Sequence, residues 1–242
     1  MNWRDEIVEL DLLGYARLPS LVSAEQVQQL LQICEQKFDQ HAVAGVARTS
    51  RGYVYAARNV IDVAPEIHSV WRYGSVREFL LESIGGHCGL VRGLYFDKPP
   101  ERSWALPWHK DQSIAVRNND RTSSQFSRPT TKLGVPHVIA SEQILHRMLT
   151  LRIHLDEVTE ENGALRVIPR SHLASEWDQR NEDSFDTIYA MAGDVLAMKP
   201  LIVHSSGSSH PETVRHRRIL HLEFAVDSTL PDGYQWYQFV PI

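Results

Sequence analysis

The chain has 242 residues, of which 43% are hydrophobic and 23% are charged, and its formal net charge is −5. These values are typical of a soluble globular domain and exclude collagen-like, disordered and coiled-coil classes. The negative charge gives no general attraction to nucleic acid or membrane lipid, and two cysteines are too few for a disulfide framework. We expect a single domain over residues 1–242, located in the cytoplasm, without a signal peptide or membrane span.

The first third of the chain predicts mainly helices. Residues 5–22 predict an irregular lead-in that contains one short strand over 15–18. The next segment has apolar side chains at helical spacing behind a capping-box pattern, which predicts a helix over 24–38. A second helix is predicted to begin at Ser75 and to end at the pair Gly85-Gly86.

From Gly89 onward the sequence changes to short apolar segments separated by turn residues, which is typical of strands. Residues 148–156 alternate strictly, with apolar side chains on one face of the strand and polar side chains on the other. The pair Asn162-Gly163 then predicts a tight hairpin turn. Further strands are predicted over 90–96, 164–168, 195–198, 201–204 and 217–226. Short strands at this spacing predict a mainly β fold, a sandwich or barrel with helices packed outside.

One segment, 117–147, has neither helical nor strand periodicity. A loop of this length is uncommon inside a compact domain and is usually functional, so we expect a mobile substrate lid. A surface insertion without a role is the alternative. The segment is basic although the whole chain is acidic, which favours an anionic small-molecule substrate. Its charged residues are Arg117, Arg121, Arg128, Lys132 and Arg147 against Asp120 and Glu142.

Two short motifs together supply candidate ligands for a metal ion. In Trp108-His109-Lys110-Asp111, the histidine and the carboxylate are two residues apart, so on a strand both side chains point to the same face. His204 ends an apolar run, so a buried imidazole there needs a partner. Two histidines and one carboxylate form the facial set that leaves positions open on Fe(II). The alternative for His204 is a core histidine satisfied by its neighbours.

A basic segment follows the second motif. Arg215 and Arg217 share one strand face, and Arg218 lies on the other. A guanidinium binds a carboxylate through two parallel hydrogen bonds, so an arginine on the strand next to His204 is a candidate for holding the distal carboxylate of a 2-oxo diacid. Surface solvation is the alternative for any one of these arginines.

Taken in order, these motifs resemble the phytanoyl-CoA dioxygenase (PhyH) family of Fe(II)- and 2-oxoglutarate-dependent oxygenases. The segments that carry the resemblance span most of the chain and lie at 98–100, 107–111, 156–172, 193–204 and 217–224. The resemblance implies a double-stranded β-helix, the jelly-roll of cupin-like proteins. It also implies that His109, Asp111 and His204 ligate Fe(II) and that 2-oxoglutarate and O2 are cosubstrates.

The resemblance further implies residues for the cosubstrate. Ser206, two residues past His204, falls where relatives contact the 2-oxoglutarate carboxylate. The usual spacing in relatives selects Arg215 as its arginine, whereas alignment by the apolar residues of the strand selects Arg217. We favour Arg217, because strand register slips less readily than loop length varies. Arg152 replaces a tryptophan that often lines the cosubstrate pocket in relatives, so it is a third candidate.

The resulting hypothesis is an oxygenase that hydroxylates an unactivated C–H bond of a small molecule and releases succinate and CO2. Asp111 favours hydroxylation over halogenation, because related halogenases carry Gly or Ala at that position. A catalytically silent family member that binds a metal or a small acid is one alternative. A zinc hydrolase with the same three ligands is another.

Overall fold

The computed structural model describes residues 2–40, 47–50, 53–72, 74–100, 103–174 and 184–242. Its helices are α1 (Arg4–Leu13), α2 (Ala24–Gln40), α3 (Val60–Val63), α4 (Ser69–Arg72), α5 (Gly74–Ile84) and α6 (Glu142–Leu145). None of the helices in these ranges is long and apolar enough to cross a membrane.

Strands make up most of the remaining regular structure. In the first half they are β1 (Tyr15–Leu18), β2 (Ala47–Ser50), β3 (Tyr53–Arg58), β4 (Gly89–Lys98), β5 (Leu106–His109) and β6 (Ser113–Ala115). The next are β7 (Phe126–Lys132), β8 (Val135–Ala140), β9 (Met148–His154), β10 (Leu165–Val167) and β11 (Asp186–Ile188). The last are β12 (Val195–Met198), β13 (His204–Ser206), β14 (Arg217–Ala225) and β15 (Val240–Pro241).

The described strands form three antiparallel sheets. The large sheet has the order β1-β12-β9-β14-β4-β3-β2, with β15 added on β4. A second sheet has the order β11-β10-β13-β5, and a third, smaller sheet has the order β6-β8-β7. Lys98 on β4 donates a hydrogen bond to Ser206 on β13, so the inner face of the large sheet meets the second sheet. The mainly β architecture predicted from the sequence is confirmed.

The large sheet separates an apolar layer from a polar one. Its outer face packs against the helices through Leu149, Leu151, Leu220, Leu222 and Phe224, which meet Leu10, Leu30 and Phe79. The alternation predicted for β9 is present, but its polar residues Thr150, Arg152 and His154 are buried as well. The polar face of the sheet is therefore an enclosed interior rather than a solvated surface.

The two predicted helices are confirmed as α2 and α5, and four helices within the described ranges were missed, namely the ten-residue α1 and the single-turn α3, α4 and α6. The amide of Ser23 donates to Oε1 of Gln26 at 2.9 Å and the amide of Gln26 to Oγ of Ser23 at 3.2 Å, which is the capping box at the start of α2. The predicted irregular lead-in contains α1, which ends at Gly14 with φ of +88°. Leu10 is the one buried residue of α1, so the apolar periodicity of this helix is weak.

The hairpin predicted at Asn162-Gly163 is wrong. β9 and β10 lie in different sheets, so this segment is a crossover between them. The side-chain amide of Asn162 donates through Nδ2 to the backbone oxygens of Glu157 and His216. These bonds fix the crossover beside the start of β14. Gly163 has φ of +73°, and a Cβ there would lie 2.5 Å from the carbonyl oxygen of Gly207. Glycine is needed at position 163 because of this close approach, and not because of a two-residue turn.

The strand predicted over 201–204 is also corrected. β13 begins only at His204, and the backbone of the preceding apolar residues forms a turn in which the Ile202 amide donates to the Lys199 oxygen at 3.1 Å. These residues are buried although they belong to no strand. Their burial produces the apolar pattern that predicted a strand.

Most of segment 117–147 is regular in the structure, which corrects the predicted irregular loop, whereas 117–125 form neither helix nor strand. β7 and β8 form a hairpin, and β6 pairs with β8. The register of β7 shifts between Ser127 and Thr130, and Arg128 has φ of +49°, so a bulge interrupts the alternation that identifies a strand. The apolar face of the hairpin sheet packs in a cluster that contains Ile114, Val116, Phe126, Val138, Tyr234 and Trp236.

Candidate metal and cosubstrate site

The structure brings His109, Asp111 and His204 together. One ligand atom of each lies within 4.8 Å of the other two. Nε2 of His204 is 3.5 Å from Oδ2 of Asp111, and Nε2 of His109 is 3.8 Å from Oδ1 of the same carboxylate. Two imidazole nitrogens and one carboxylate at these separations match the facial set that holds Fe(II) with positions left open. The donor set therefore fits such a metal.

Strand pairing positions two of these side chains, and a turn positions the third. His109, the last residue of β5, lies directly opposite His204, the first residue of β13. Asp111 lies two residues beyond the end of β5 and not on the strand as predicted. Its backbone amide donates to the oxygen of Pro200 at 2.9 Å. The carboxylate is therefore fixed by a contact between two chain segments.

Backbone carbonyls orient both imidazole rings. Nδ1 of His109 is 2.7 Å from the oxygen of Pro107, and Nδ1 of His204 is 3.0 Å from the oxygen of Ile202. We infer that each Nδ1 carries the proton and donates it to that oxygen. The lone pair of each Nε2 then faces the site, as in metal-ligating histidines whose second nitrogen bonds to the backbone.

The charge states of His204 and Asp111 also suit a metal. Burial lowers the pKa of His204 to about 4, so this imidazole is neutral near pH 7. Burial alone would raise the pKa of Asp111, but the positive charges that His204 and neighbouring residues carry at low pH lower it to about 2. Ligands that are already deprotonated bind a metal without a proton cost. The side chain of His109 is 36% exposed and that of His204 5%, so the site opens toward solvent at His109.

A group of buried basic residues lies on the inner face of the large sheet beside the triad. Arg217 on β14 and Arg152 on β9 are both buried, and their Nε atoms have no hydrogen-bond partner within the described part of the chain. Burial followed by the charge of Arg152 lowers the pKa of Arg217 to about 9. Buried guanidinium groups with unused donors are costly unless an anion occupies the space beside them.

Lys98 joins this group and was missed by the sequence analysis. It is fully buried, and its Nζ donates to Oγ of Ser206 at 3.1 Å and to the oxygen of Gly207 at 2.7 Å. Burial, followed by the charges of Arg217 and Arg152, lowers the pKa of Lys98 to about 6. The hydroxyl hydrogen of Ser206 is not used by the bond from Lys98, so it can be donated to a ligand. The sequence feature that could have identified Lys98 is the position of a lysine at the end of a buried strand.

The three arginines after His204 have different surroundings. Arg215 is half exposed and forms an ion pair with Glu157. Arg218 points away from the interior and donates to both carboxylate oxygens of Asp156, one at 2.7 Å. Arg217 is the one of the three that is buried, and its guanidinium lies near that of Arg152. The structure therefore places the arginine chosen by strand register, and not the one chosen by spacing, inside the fold.

A second buried polar group was not predicted. Arg92 on β4 donates to both carboxylate oxygens of Glu223 on β14, with Nε 2.8 Å from Oε2. Nε2 of His221 is 3.4 Å from Oε1 of Glu223. Nδ1 of the same histidine is 3.4 Å from Nη1 of Arg152. A row of polar side chains thus crosses the inner face of the large sheet from Arg152 to Arg92.

Comparison with known proteins identifies the family. A family model described as Phytanoyl-CoA dioxygenase (PhyH) matches residues 10–217, which is most of the chain. The chain belongs to this family, and its class is the iron- and 2-oxoglutarate-dependent dioxygenases. A protein of Stutzerimonas stutzeri named "Probable alpha-ketoglutarate-dependent hypophosphite dioxygenase" is 24% identical over 239 residues, covering 86% of this chain and 73% of that protein.

Solved structures share the fold. The non-heme alpha ketoglutarate dependent epimerase SnoN from nogalamycin biosynthesis superposes with a TM-score of 0.69 at 16% identity, over 99% of this chain and 92% of that one. EctD from S. alaskensis, solved with 2-oxoglutarate and 5-hydroxyectoine, gives 0.69 at 17% identity, over 93% of this chain and 76% of that one. These similarities confirm the predicted jelly-roll core.

Proposed function

We propose that His109, Asp111 and His204 hold the iron of this dioxygenase. The observation that carries the proposal is the convergence of three ligand atoms within 4.8 Å, with both histidines oriented through Nδ1. When bound, iron with 2-oxoglutarate and O2 supplies oxidative decarboxylation and the activated oxygen. The protein supplies a fixed facial ligand set and an enclosed polar interior.

We also propose that Arg217, Ser206 and Arg152 hold 2-oxoglutarate. The two guanidinium groups have unused donors, and a carboxylate can accept both of them with the Ser206 hydroxyl. Lys98 keeps Ser206 in place through the bond to its Oγ. An anion in this space relieves the cost of the buried positive charges, so binding of the cosubstrate and stability of the interior are coupled.

For the primary substrate we propose a small anionic molecule. The hairpin of segment 117–147 is basic, and the Stutzerimonas stutzeri relative is named for a small oxyanion. The proposed reaction is hydroxylation of a C–H bond: R–H, 2-oxoglutarate and O2 give R–OH, succinate and CO2. The name of that relative makes oxidation of a P–H bond the second candidate.

The proposed setting of the enzyme is the cytoplasm, with a small molecule as its binding partner. The net charge of −5 supports a small-molecule partner, since it disfavours nucleic acid and anionic lipid as partners. We further propose that the β7–β8 hairpin acts as the lid of the site within one domain over 1–242.

Succinate release tests the proposed function. The wild-type protein and Asp111→Ala are incubated in air with Fe(II), 2-oxoglutarate and a panel of small carboxylates, phosphonates and hypophosphite. We expect one class to stimulate succinate release by the wild type. Asp111→Ala should lose more than the roughly 10- to 100-fold that removal of an outer-shell partner costs. The exposed Asp120→Ala is the matched control and should keep wild-type turnover. Normal turnover by Asp111→Ala would contradict the assignment.

A further inference from the structure

Lys132 is a charged side chain of the hairpin that points inward. Cross-strand partners in a sheet share a face, and Thr130 lies opposite His137, which in turn lies opposite Ala115. Ser113, His137 and Lys132 therefore lie on one face of the three-stranded sheet. Nζ of Lys132 donates to Oγ of Ser113 at 2.8 Å, which shows that this face is shared.

This face lies beside the triad. Ser113, to which Lys132 donates, is two residues beyond Asp111. Burial lowers the pKa of Lys132, and the carboxylates of Glu223 and Asp111 are close enough to oppose this lowering. The charges of Arg92 and Arg58 lower the pKa of the same lysine. The polar face of the hairpin sheet and the Arg92 end of the inner polar row therefore meet on the triad's Asp111 side.

The basic side chains on this side of the triad differ in whether a carboxylate neutralises them. Arg92 is neutralised by Glu223, to which it donates two hydrogen bonds. His137 is buried and donates Nδ1–H to the oxygen of Val135, and burial lowers its pKa to about 4, so it adds no charge. Within the described residues, Lys132 has Ser113 as its hydrogen-bond acceptor and no carboxylate at ion-pair distance. Lys132 thus carries an ammonium group with which no carboxylate of the described residues forms a direct ion pair, although Glu223 and Asp111 act on it from farther away.

We infer that Lys132 binds an anionic group of the primary substrate, a carboxylate or a phosphorus oxyanion, on the Asp111 side of the triad. This inference rests on the proposed function, and it names the residue that selects the substrate. The cosubstrate lies at the other end of the inner polar row, where Arg152 and Arg217 are found. The site then has two separate places for anions, one on the large sheet and one under the hairpin.

The exposed arginines of the hairpin are excluded from this role. Arg117, Arg121 and Arg128 are exposed, and Arg147 forms a surface ion pair with Asp227. The sequence alone does not distinguish the five basic residues of the segment from one another. The structure distinguishes Lys132 as the one that faces the interior beside the triad.

Isothermal titration calorimetry tests the inference on protein loaded anaerobically with Fe(II) and saturating 2-oxoglutarate. The probes are phosphite, acetate and uncharged acetamide. We expect the wild type to bind phosphite or acetate but not acetamide, and the better anion identifies the substrate group. In Lys132→Met the Kd of that anion should rise about 10- to 100-fold, since a charge-assisted hydrogen bond is lost. Lys132→Arg should retain most of the affinity.

Arg128→Met, which removes an exposed charge from the same strand, is the matched control and should bind like the wild type. The Kd of 2-oxoglutarate, measured separately, should stay within about twofold in all variants, because the cosubstrate contacts lie elsewhere. Unchanged anion binding in Lys132→Met, or an equal loss in Arg128→Met, would overturn the inference. So would a wild type that binds 2-oxoglutarate but no anion. A wild type that binds no 2-oxoglutarate would instead overturn the proposed function.

Discussion

Arg217, the first residue of β14, carries a buried guanidinium, whereas Arg215, two residues earlier and outside the strand, carries an exposed one. Arg215 pairs with Glu157 near the surface, whereas Arg217 reaches the interior with an unused Nε. Both residues have the same side-chain chemistry. The two residues differ in burial, and burial strengthens a charge-assisted hydrogen bond to a carboxylate.

The two arginines therefore predict different effects on cosubstrate binding. Arg217→Gln should raise the Kd of 2-oxoglutarate at least about thirtyfold, because loss of a buried partner costs about 2 kcal/mol or more. Arg215→Gln should change it less than about twofold, because an exposed ion pair contributes little. Anaerobic titration of the Fe(II) protein measures both values. The reverse order would mean that residue spacing, and not strand register, identifies the cosubstrate arginine.

His154 predicts a pH dependence of stability. Burial, followed by the charges of Arg152 and Arg217, lowers its folded pKa to about 3, while the unfolded value is about 6.5. The unfolded state therefore binds one proton more between these limits, so this contribution to stability is full above about pH 6.5 and falls as the pH decreases. Urea unfolding from about pH 7 to 5 should show a shallower pH dependence in His154→Phe than in the wild type. The exposed His146→Gln should follow the wild type, and an unchanged slope in His154→Phe would contradict this assignment.

Residue patterns predicted part of the site for a physical reason. His109 and Asp111 are two residues apart, and the apolar run before His204 is local, so both signals are visible in the sequence. Lys98 was missed because its partner Ser206 lies on another sheet. The pairing of Arg92 with Glu223 likewise depends on the register of β4 against β14. Contacts between distant strands carry no local signal.

Among the elements, prediction succeeded where the pattern is regular and failed at bulges and crossovers. Helix α2 and strand β12 follow the predicted periods closely. The bulge at Arg128 conceals β7, and the Asn162-Gly163 pair has the chemistry of a hairpin turn but joins two sheets. Gly163 is needed partly for its positive φ. It is also needed because Gly207, from a distant part of the chain, lies too close for a Cβ.

The crossover predicts a measurable cost at Gly163. Gly163→Ala combines a positive φ with a Cβ 2.5 Å from the oxygen of Gly207, next to Ser206. Gly134→Ala, in the β7–β8 turn, has a φ of +80° but no atom within 4 Å of the added Cβ. Both should lose about 1 kcal/mol from backbone strain, and Gly163→Ala should lose on the order of 2 kcal/mol more. Denaturant unfolding compares them, and equal losses would contradict the close approach.

At the scale of the whole molecule, the described residues form one enclosed polar interior between the large sheet and the second sheet. The second sheet carries His109, His204 and Ser206, and the large sheet carries the arginines. The hairpin sheet adds Lys132 from a third direction. Three sheets thus meet around the triad, which explains why no single segment of the sequence reveals the complete site.

Anaerobic spectroscopy tests the central claim, that these three sheets bring one iron and one 2-oxoglutarate together. Fe(II) and 2-oxoglutarate are added without O2, and the visible spectrum is recorded for the wild type, Asp111→Ala and Arg215→Gln. A weak metal-to-ligand charge-transfer band appears when iron and cosubstrate chelate together. We predict this band in the wild type and Arg215→Gln and its loss in Asp111→Ala. A wild type without the band, or Asp111→Ala with an undiminished band, would contradict the account.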